Sequence, residues 1–350
     1  MQRAQAVEFA GTSFERGTRT FWHLACAETV TGPLMVPITT VAGARSGPTL
    51  AVTAGCHPGE YNGILSSVEF AQRLDPAALS GQVVVVHVQN VPAVQAKVGH
   101  VSPVDGVNMG RAYPVPGEVV EEVASVSHQS QSPTHQIADT LMEQIIGRSD
   151  AHVDLHGGEH FEELHPNIEY LITGQSEIDE RTRELGRSFG FSYLWEVPYR
   201  TIPQMPSYPD RGASFVEAPM RGIPSVLCEV GGEGRIEQSL VDLTVDGLLR
   251  VLAHRGMIAS APDGGIDDPE VLVGGQVLFA NRAGLFVSEV AAGEPVDEGQ
   301  RLGRLVALDG EVVETFSAPV PARMLNVVRR GVANPGDMLF VMGNRGVDPS

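Results

Sequence analysis

The chain has 350 residues, with 24 Lys+Arg against 43 Asp+Glu, a formal charge of −19, 42% hydrophobic and 19% charged residues. That length suggests two domains, or one large domain with an appendage, and the apolar content excludes a disordered acidic chain. An acidic chain without any basic run also excludes an electrostatic footprint for nucleic acid or for an anionic membrane surface.

From the N-terminus onward, the opening residues lack the apolar core of a signal peptide, and no run of about 18 apolar residues follows, so a cytoplasmic location is expected. Short runs rich in Val, Ile and Leu at 34–41, 49–56, 83–88, 152–156, 168–173 and 225–230 have the length of buried strands. Between them, 61–74, 134–146, 177–189 and 240–254 space their apolar residues as helices do, with Ser132 or Thr134 available to cap the second. This alternation predicts an α/β domain, a mostly parallel or mixed sheet with helices on both faces. One segment, 99–132, has no sustained period and carries Pro103, Pro114 and Pro116. It is far longer than the roughly 4–6 residues of an ordinary connection, which marks it for function.

After Ala261-Pro262-Asp263-Gly264-Gly265 the texture changes, and a boundary is placed at 262, separating residues 1–262 from 263–350. Beyond it come only short alternating runs at 271–278, 284–290, 301–308, 311–316, 324–328 and 338–341, the pattern of a small all-β module. The spacing of Val290, Gly293, Gly299 and Leu302 is echoed by Val328, Gly331, Gly336 and Leu339. Such paired hairpin units resemble the flattened barrel of biotinyl and lipoyl carrier domains. Those domains modify a Lys, and this region contains none, so the module is structural or forms part of a substrate entrance.

Three constellations carry chemistry. In Gly55-Cys56-His57-Pro58-Gly59-Glu60, an imidazole and a carboxylate three residues apart follow a strand, where sites collect in α/β sheets. Taken alone, the pair is better accounted for by a polar turn residue and a helix N-terminal acid favoured by the dipole. In His152-Val153-Asp154-Leu155-His156, the period of two aligns three ionisable groups on one face of an apolar strand. Unpaired burial there costs several kcal/mol; His152 alone fits a satisfied polar strand residue, whereas His156, at the strand end before Gly157-Gly158, fits a ligand. Finally, the apolar strand 225–228 ends in Glu229 and is followed by Gly231-Gly232, a setting that raises a carboxyl pKa toward general-base duty, though taken singly a Glu snorkelling to the surface accounts for it about as well. Two His and one Glu form a catalytic zinc set that leaves a position for water, and a second Glu beside that water completes a hydrolase.

In this order the motifs resemble the succinylglutamate desuccinylase/aspartoacylase family, amidohydrolases related to the M14 zinc carboxypeptidases. The matching residues are 55–60, Asp105-Gly106-Val107-Asn108-Met109-Gly110-Arg111-Ala112-Tyr113-Pro114, 154–156 and 222–232, and the likeness extends over most of the chain. The resemblance implies a carboxypeptidase-like mixed sheet and one Zn2+ per chain held by His57, Glu60 and His156. It further implies Glu229 as general base and acid, and a substrate site in the long loop. Arg111 is the expected catalytic donor and, with Asn108 and Asp154, a substrate-binding candidate. The family's loop reads D-G-x-N-x-N-R; here Gly110 replaces the second Asn, and no Arg lies between Arg73 and Arg111, only Lys97 and His100.

Zinc-dependent deacylation of a small N-acyl amine or amino acid is the leading expectation, with a carboxypeptidase acting on short peptides or a non-catalytic metal-binding relative as alternatives. Self-association is left open. The acidic surface and thin local supply of cations favour a neutral or cationic acylated amine over a dicarboxylic one. His128 and His135 are expected to be solvated or capping. Cys56 and Cys228 are expected as small buried residues, and Arg211 and Glu217 as a surface pair unless Arg211 faces the site. With Cys26, the cysteines are three and widely spaced, which suits a reducing compartment. No phosphate-cradling Gly motif occurs, so no nucleotide cofactor is expected.

Overall fold

The computed structural model describes residues 6–115, 132–199, 211–329 and 331–346. A hairpin of β1 (Ala6–Phe9) and β2 (Thr12–Glu15) leads into β3 (Thr18–Thr29), β4 (Gly32–Ala42) and β5 (Arg45–Ala54). Next come α1 (Tyr61–Arg73), β6 (Ser80–Val86), α2 (Val91–Ala96), α3 (Pro133–Gln144) and β7 (Ala151–His156). They are followed by β8 (Glu162–Leu164), β9 (Asn167–Ile172), α4 (Ser176–Ser188) and β10 (Tyr193–Pro198). The series closes with α5 (Ser214–Glu217), β11 (Ser225–Glu229), α6 (Gln238–His254) and β12 (Glu270–Val273).

Nine of these strands form one sheet in the order β12-β10-β9-β11-β7-β5-β6-β4-β3. It is mixed, as expected: β5 runs parallel to β6 and β7, and β7 to β11, whereas β11 meets β9, and β4 meets both β3 and β6, antiparallel. The Val-rich run of β6 is continuous because both faces of this interior strand are covered. Val83 and Val85 join a core with Phe70 of α1, Leu185 of α4 and Val245, Leu248 and Val251 of α6. Val84 and Val86 join the opposite core with Ile137, Leu141 and Met142 of α3. No helix among the described residues is long and apolar enough to cross a membrane.

The sequence reading missed β1, β2 and β3. The long β3 is an edge strand whose residues alternate between exposed and half-buried over most of its length, so it offers no continuous apolar run.

A second difference concerns the boundary placed at 262. The run 271–278 is two strands, not one, broken by a bend at Gly274, whose φ of +62° glycine adopts at little cost. Before the break, β12 pairs in parallel with β10 and completes the main sheet, burying Leu272 against Trp195 and Val197. The main sheet therefore closes only after residue 273.

After Gly274 every described element is a strand: β13 (Gly275–Phe279), β14 (Gly284–Ser288), β15 (Pro295–Val296), β16 (Arg301–Val306), β17 (Val312–Ser317), β18 (Ala322–Val328), β19 (Val332–Ala333) and β20 (Met338–Asn344). They make two sheets, β13-β20-β18-β15 and β17-β16-β14-β19. The two share a core that includes Phe286, Leu302, Leu305, Met324, Leu339 and Phe340. The first half of the chain also reaches into this region, because β8 pairs with β18.

Candidate active site

Three strand ends supply the site. At the end of β5, Gly55 takes φ +66°, and a Cβ there would lie 3.0 Å from Val88 Cα and 3.3 Å from the His87 carbonyl oxygen. Only glycine lets the chain leave the strand this close to its neighbour. His57 follows, and Glu60 stands at the N-terminus of α1 but makes no side-chain cap bond. Its carboxylate turns instead to two imidazoles, with Oε1 2.7 Å from His57 Nδ1 and Oε2 3.2 Å from His156 Nδ1.

The outer nitrogens of these rings face acceptors. His57 Nε2 is 3.0 Å from Asn108 Oδ1, and that oxygen also accepts the Gly110 N–H at 2.8 Å. The Asn108 atom is therefore an acceptor, and His57 donates to it through Nε2. His156 Nε2 lies 3.3 Å from Asp154 Oδ2, again an acceptor. Both Nδ1 atoms face the Glu60 carboxylate, whose Oε2 is buried without a hydrogen-bond partner among the described residues. Burial opposes ionisation of Glu60, but the His156 and His57 rings hold its carboxyl down at about 2. The possible ligand atoms of His57, Glu60 and His156 all lie within 4.8 Å of one another. Two imidazole nitrogens and a carboxylate around a buried acceptor fit a divalent zinc-type cation.

Glu229 ends β11 directly beside His156, its partner in the parallel register. Burial pushes its carboxyl well above the ordinary range; His156 opposes this, and the carboxylates of Glu60, Glu169 and Glu162 add to it. Its Oε2 is shielded and unpartnered among the described residues. A carboxyl group with a raised pKa next to a metal site is suited to taking and returning a proton near neutral pH.

The remaining predicted residues divide. Asp154 is buried with both oxygens occupied: Oδ1 accepts from Thr53 Oγ1 at 2.6 Å and Gln89 Nε2 at 2.9 Å, and Oδ2 from the Ser214 hydroxyl. His156 approaches it as well, so protein groups engage both oxygens, although Asp154 also lines the smaller of the two cavities at the cluster. Asn108 likewise spends its oxygen on His57 and Gly110, although it lines the main cavity. His152 is satisfied by Thr53 and Ser225, at 2.9 and 2.8 Å, and is no ligand. Arg111 lines the cavities on both sides of the cluster.

His100 stacks 5.0 Å from His57 and also lines the main cavity. Lys97 instead caps the end of α2. Arg211 makes a bidentate pair with Glu217, which is fully buried rather than at the surface. His135 accepts or donates at Ser132 Oγ, 2.9 Å away, whereas His128 lies outside the described residues. Cys56 and Cys228 are buried as expected, and burial pushes the Cys56 thiol up to about 11.

Two cavities flank the cluster. The larger, about 190 Å³, is walled by residues that sequence reasoning passed over, including Asn167, Glu169 and Trp195, and by Leu325, Asn326 and Met338 from the C-terminal strands. The smaller, about 120 Å³, is lined by Cys56, Tyr113, Phe215 and Leu227 among others. Asn167 and Glu169 had a signal in the sequence: they alternate with apolar residues on a buried strand, as Asp154 and His156 do.

Comparison with known proteins agrees with this arrangement. Over 307 residues, covering 85% of this chain and 80% of the relative, the sequence is 28% identical to N-alpha-acetyl-L-2,4-diaminobutyric acid deacetylase of Halomonas elongata. The fold matches the crystal structure of a succinylglutamate desuccinylase/aspartoacylase from Rhodobacter sphaeroides, with a TM-score of 0.79, 24% identity, and 94% and 96% of the two chains covered. It also matches the product-bound ectoine utilization protein of Ruegeria pomeroyi, with a TM-score of 0.78, 23% identity, and 93% and 95% covered. Residues 46–255, which hold every strand end of the site, match the model of the succinylglutamate desuccinylase/aspartoacylase catalytic domain, and the chain belongs to that family.

Proposed function

We propose that the protein is a zinc-dependent deacylase that hydrolyses the amide of a small N-acyl amine or N-acyl amino acid. The observation that carries this reading is the pair of imidazole Nδ1 atoms converging on the buried carboxylate of Glu60 beside the raised-pKa carboxyl of Glu229. The deacetylase named for the Halomonas relative supports it. His57, Glu60 and His156 would hold the ion. Zinc, when bound, supplies Lewis acidity and brings the pKa of water near neutrality.

The chain's own residues do the rest. Glu229 accepts the proton of the attacking water and returns it to the nitrogen of the departing amine. Arg111, facing both cavities, is the donor for negative charge developing on the carbonyl oxygen. Asp154 and Asn108 keep His156 and His57 in the tautomers that leave Nδ1 free, a positioning role. A cavity of about 190 Å³ suits a small substrate.

Metal analysis and amide turnover test this together. The purified wild-type protein is expected to hold one zinc, and His57→Ala and His156→Ala to hold much less. Glu229→Gln should keep the metal and lose about 10²–10⁴-fold in kcat. Full metal occupancy in both His variants would sink the ligand set. Stoichiometric zinc with no turnover in a broad N-acyl screen would instead favour a binding role.

A further inference from the structure

The two cavities beside the cluster share His57, Arg111, His156 and Glu229 in their walls. An amide held at those residues can extend its acyl chain into one cavity and its amine into the other. The smaller cavity, about 120 Å³, has polar residues around it, yet their hydrogen-bonding groups are turned to protein partners. The Ser214 hydroxyl goes to Asp154 and the Tyr113 hydroxyl to Gln89. Asp154 also accepts from Thr53 and Gln89, while His57 Nε2 faces Asn108 and His156 Nε2 faces Asp154. Cys56 is a buried thiol. The two remaining polar residues, Arg111 and Glu229, are those assigned above to the carbonyl oxygen and to the proton.

The rest of this wall is mainly carbon, from the Tyr113 and Phe215 rings, Leu227 and Ala213. A polar group buried without a partner costs free energy, and an ionised one costs more; here the partners within reach are already engaged. Methylenes gain from the same burial. Gly110 also lines the cavity, and its φ is not positive, so the backbone does not demand glycine there. A Cβ at this position would already lie 3.2 Å from His57 Nε2 and 3.3 Å from Asn108 Oδ1. Any larger residue would therefore take its room from the cavity or from the imidazole. An apolar cavity of about 150 Å³ holds benzene, so one of about 120 Å³ holds, in proportion, a chain of about four carbons.

We propose that the smaller cavity, walled by Tyr113, Ala213, Phe215 and Leu227 and left open by Gly110, is the pocket for an uncharged aliphatic chain of about four carbons on one side of the scissile amide. The substrate carries that chain either as its acyl group or on its amine, and its other half occupies the larger cavity. This rests on the deacylase reading above and specifies its substrate class.

The test uses the zinc-loaded full-length protein and two homologous series of amides. Butylamine acylated with acetyl through heptanoyl groups lengthens the acyl side. The N-acetyl derivatives of methylamine through hexylamine lengthen the amine side. In one series kcat/KM should climb by about four- to tenfold per methylene up to about four carbons and then fall. A terminal carboxylate or ammonium on the best chain should lower it by about tenfold or more. Phe215→Ala should move the optimum to a longer chain and, independently, Ala213→Val to a shorter one. No optimum in either series, an optimum that neither variant moves, or a charged chain turned over as well as the uncharged one would overturn the pocket. Calorimetric titration of the same amides into Glu229→Gln protein keeps the two readings apart. If the wild-type protein cleaves none of them, the deacylase reading falls, and the order of dissociation constants along each series still decides the pocket.

Discussion

Single side chains here are held by their neighbours in states they do not prefer in water. His87, just past β6, is buried between Thr39 Oγ1 at 2.7 Å and Ser67 Oγ at 2.9 Å, and burial lowers its pKa from 6.5 to about 4. Between those values the unfolded chain takes up a proton that the folded one refuses. Stability is thus fully retained above about pH 6.5 and falls as the pH drops toward 4, by up to about 3 kcal/mol for this one group. With metal chelated throughout, urea unfolding at several pH values should show a shallower acid slope for His87→Gln, by about one proton. An unchanged slope would show that His87 is not the group refusing the proton. His152, satisfied by hydroxyls on both nitrogens, is a second neutral buried imidazole. It explains why three ionisable groups on one strand face do not make three ligands.

At the scale of elements, each strand end delivers one part of the chemistry, and short segments brace the delivery. Arg211 and Glu217 belong to this bracing. Glu217, at the end of α5, is fully buried and receives Arg211 at 2.7 and 2.9 Å and the Gly212 N–H at 3.0 Å. Removing the Arg leaves a buried carboxylate short of its main partner, so Arg211→Ala should destabilise the fold by about 3–5 kcal/mol. Arg211→Ala combined with Glu217→Gln should recover part of that loss in thermal or urea unfolding. If Arg211→Ala instead leaves the melting temperature unchanged and weakens substrate binding, Arg211 faces the substrate and the bracing account fails.

The same scale shows what was legible. The strands β5, β7 and β11 could be read because both of their faces are buried and their apolar runs are continuous. The edge strand β3 could not, because half of its residues face water. The break at Gly274 within one apolar run was invisible for a different reason: which sheet a strand joins depends on partners far away in sequence, here Tyr193–Pro198 for β12 and Met338–Asn344 for β13.

Across the whole molecule, the charge of −19 gives a field that repels anions and draws cations toward the surface. The kcat/KM of a cationic amide is therefore expected to fall as salt is raised from about 0.01 to 0.3 M, as the screening length shortens from about 30 to under 10 Å. That of its neutral isostere should stay nearly level. Parallel salt dependence for the two would show that long-range attraction plays no part in capture.

The sequence by itself determined the α/β class and singled out His57, Glu60, His156 and Glu229 as candidates, through the period of a strand, the spacing of a turn, a carboxylate at a strand end and the family resemblance these carry. Only the tertiary structure decided which polar residues were already satisfied, as Asp154 and Asn108 are, and which line a cavity, as Asn167 and Asn326 do. It also joined the two halves of the chain into one cavity wall, setting Asn326 of β18 against Leu164 of β8. Hydrogen-bond satisfaction and enclosure are pairwise properties of groups distant in the chain, so neither can be read from the pattern of any one segment.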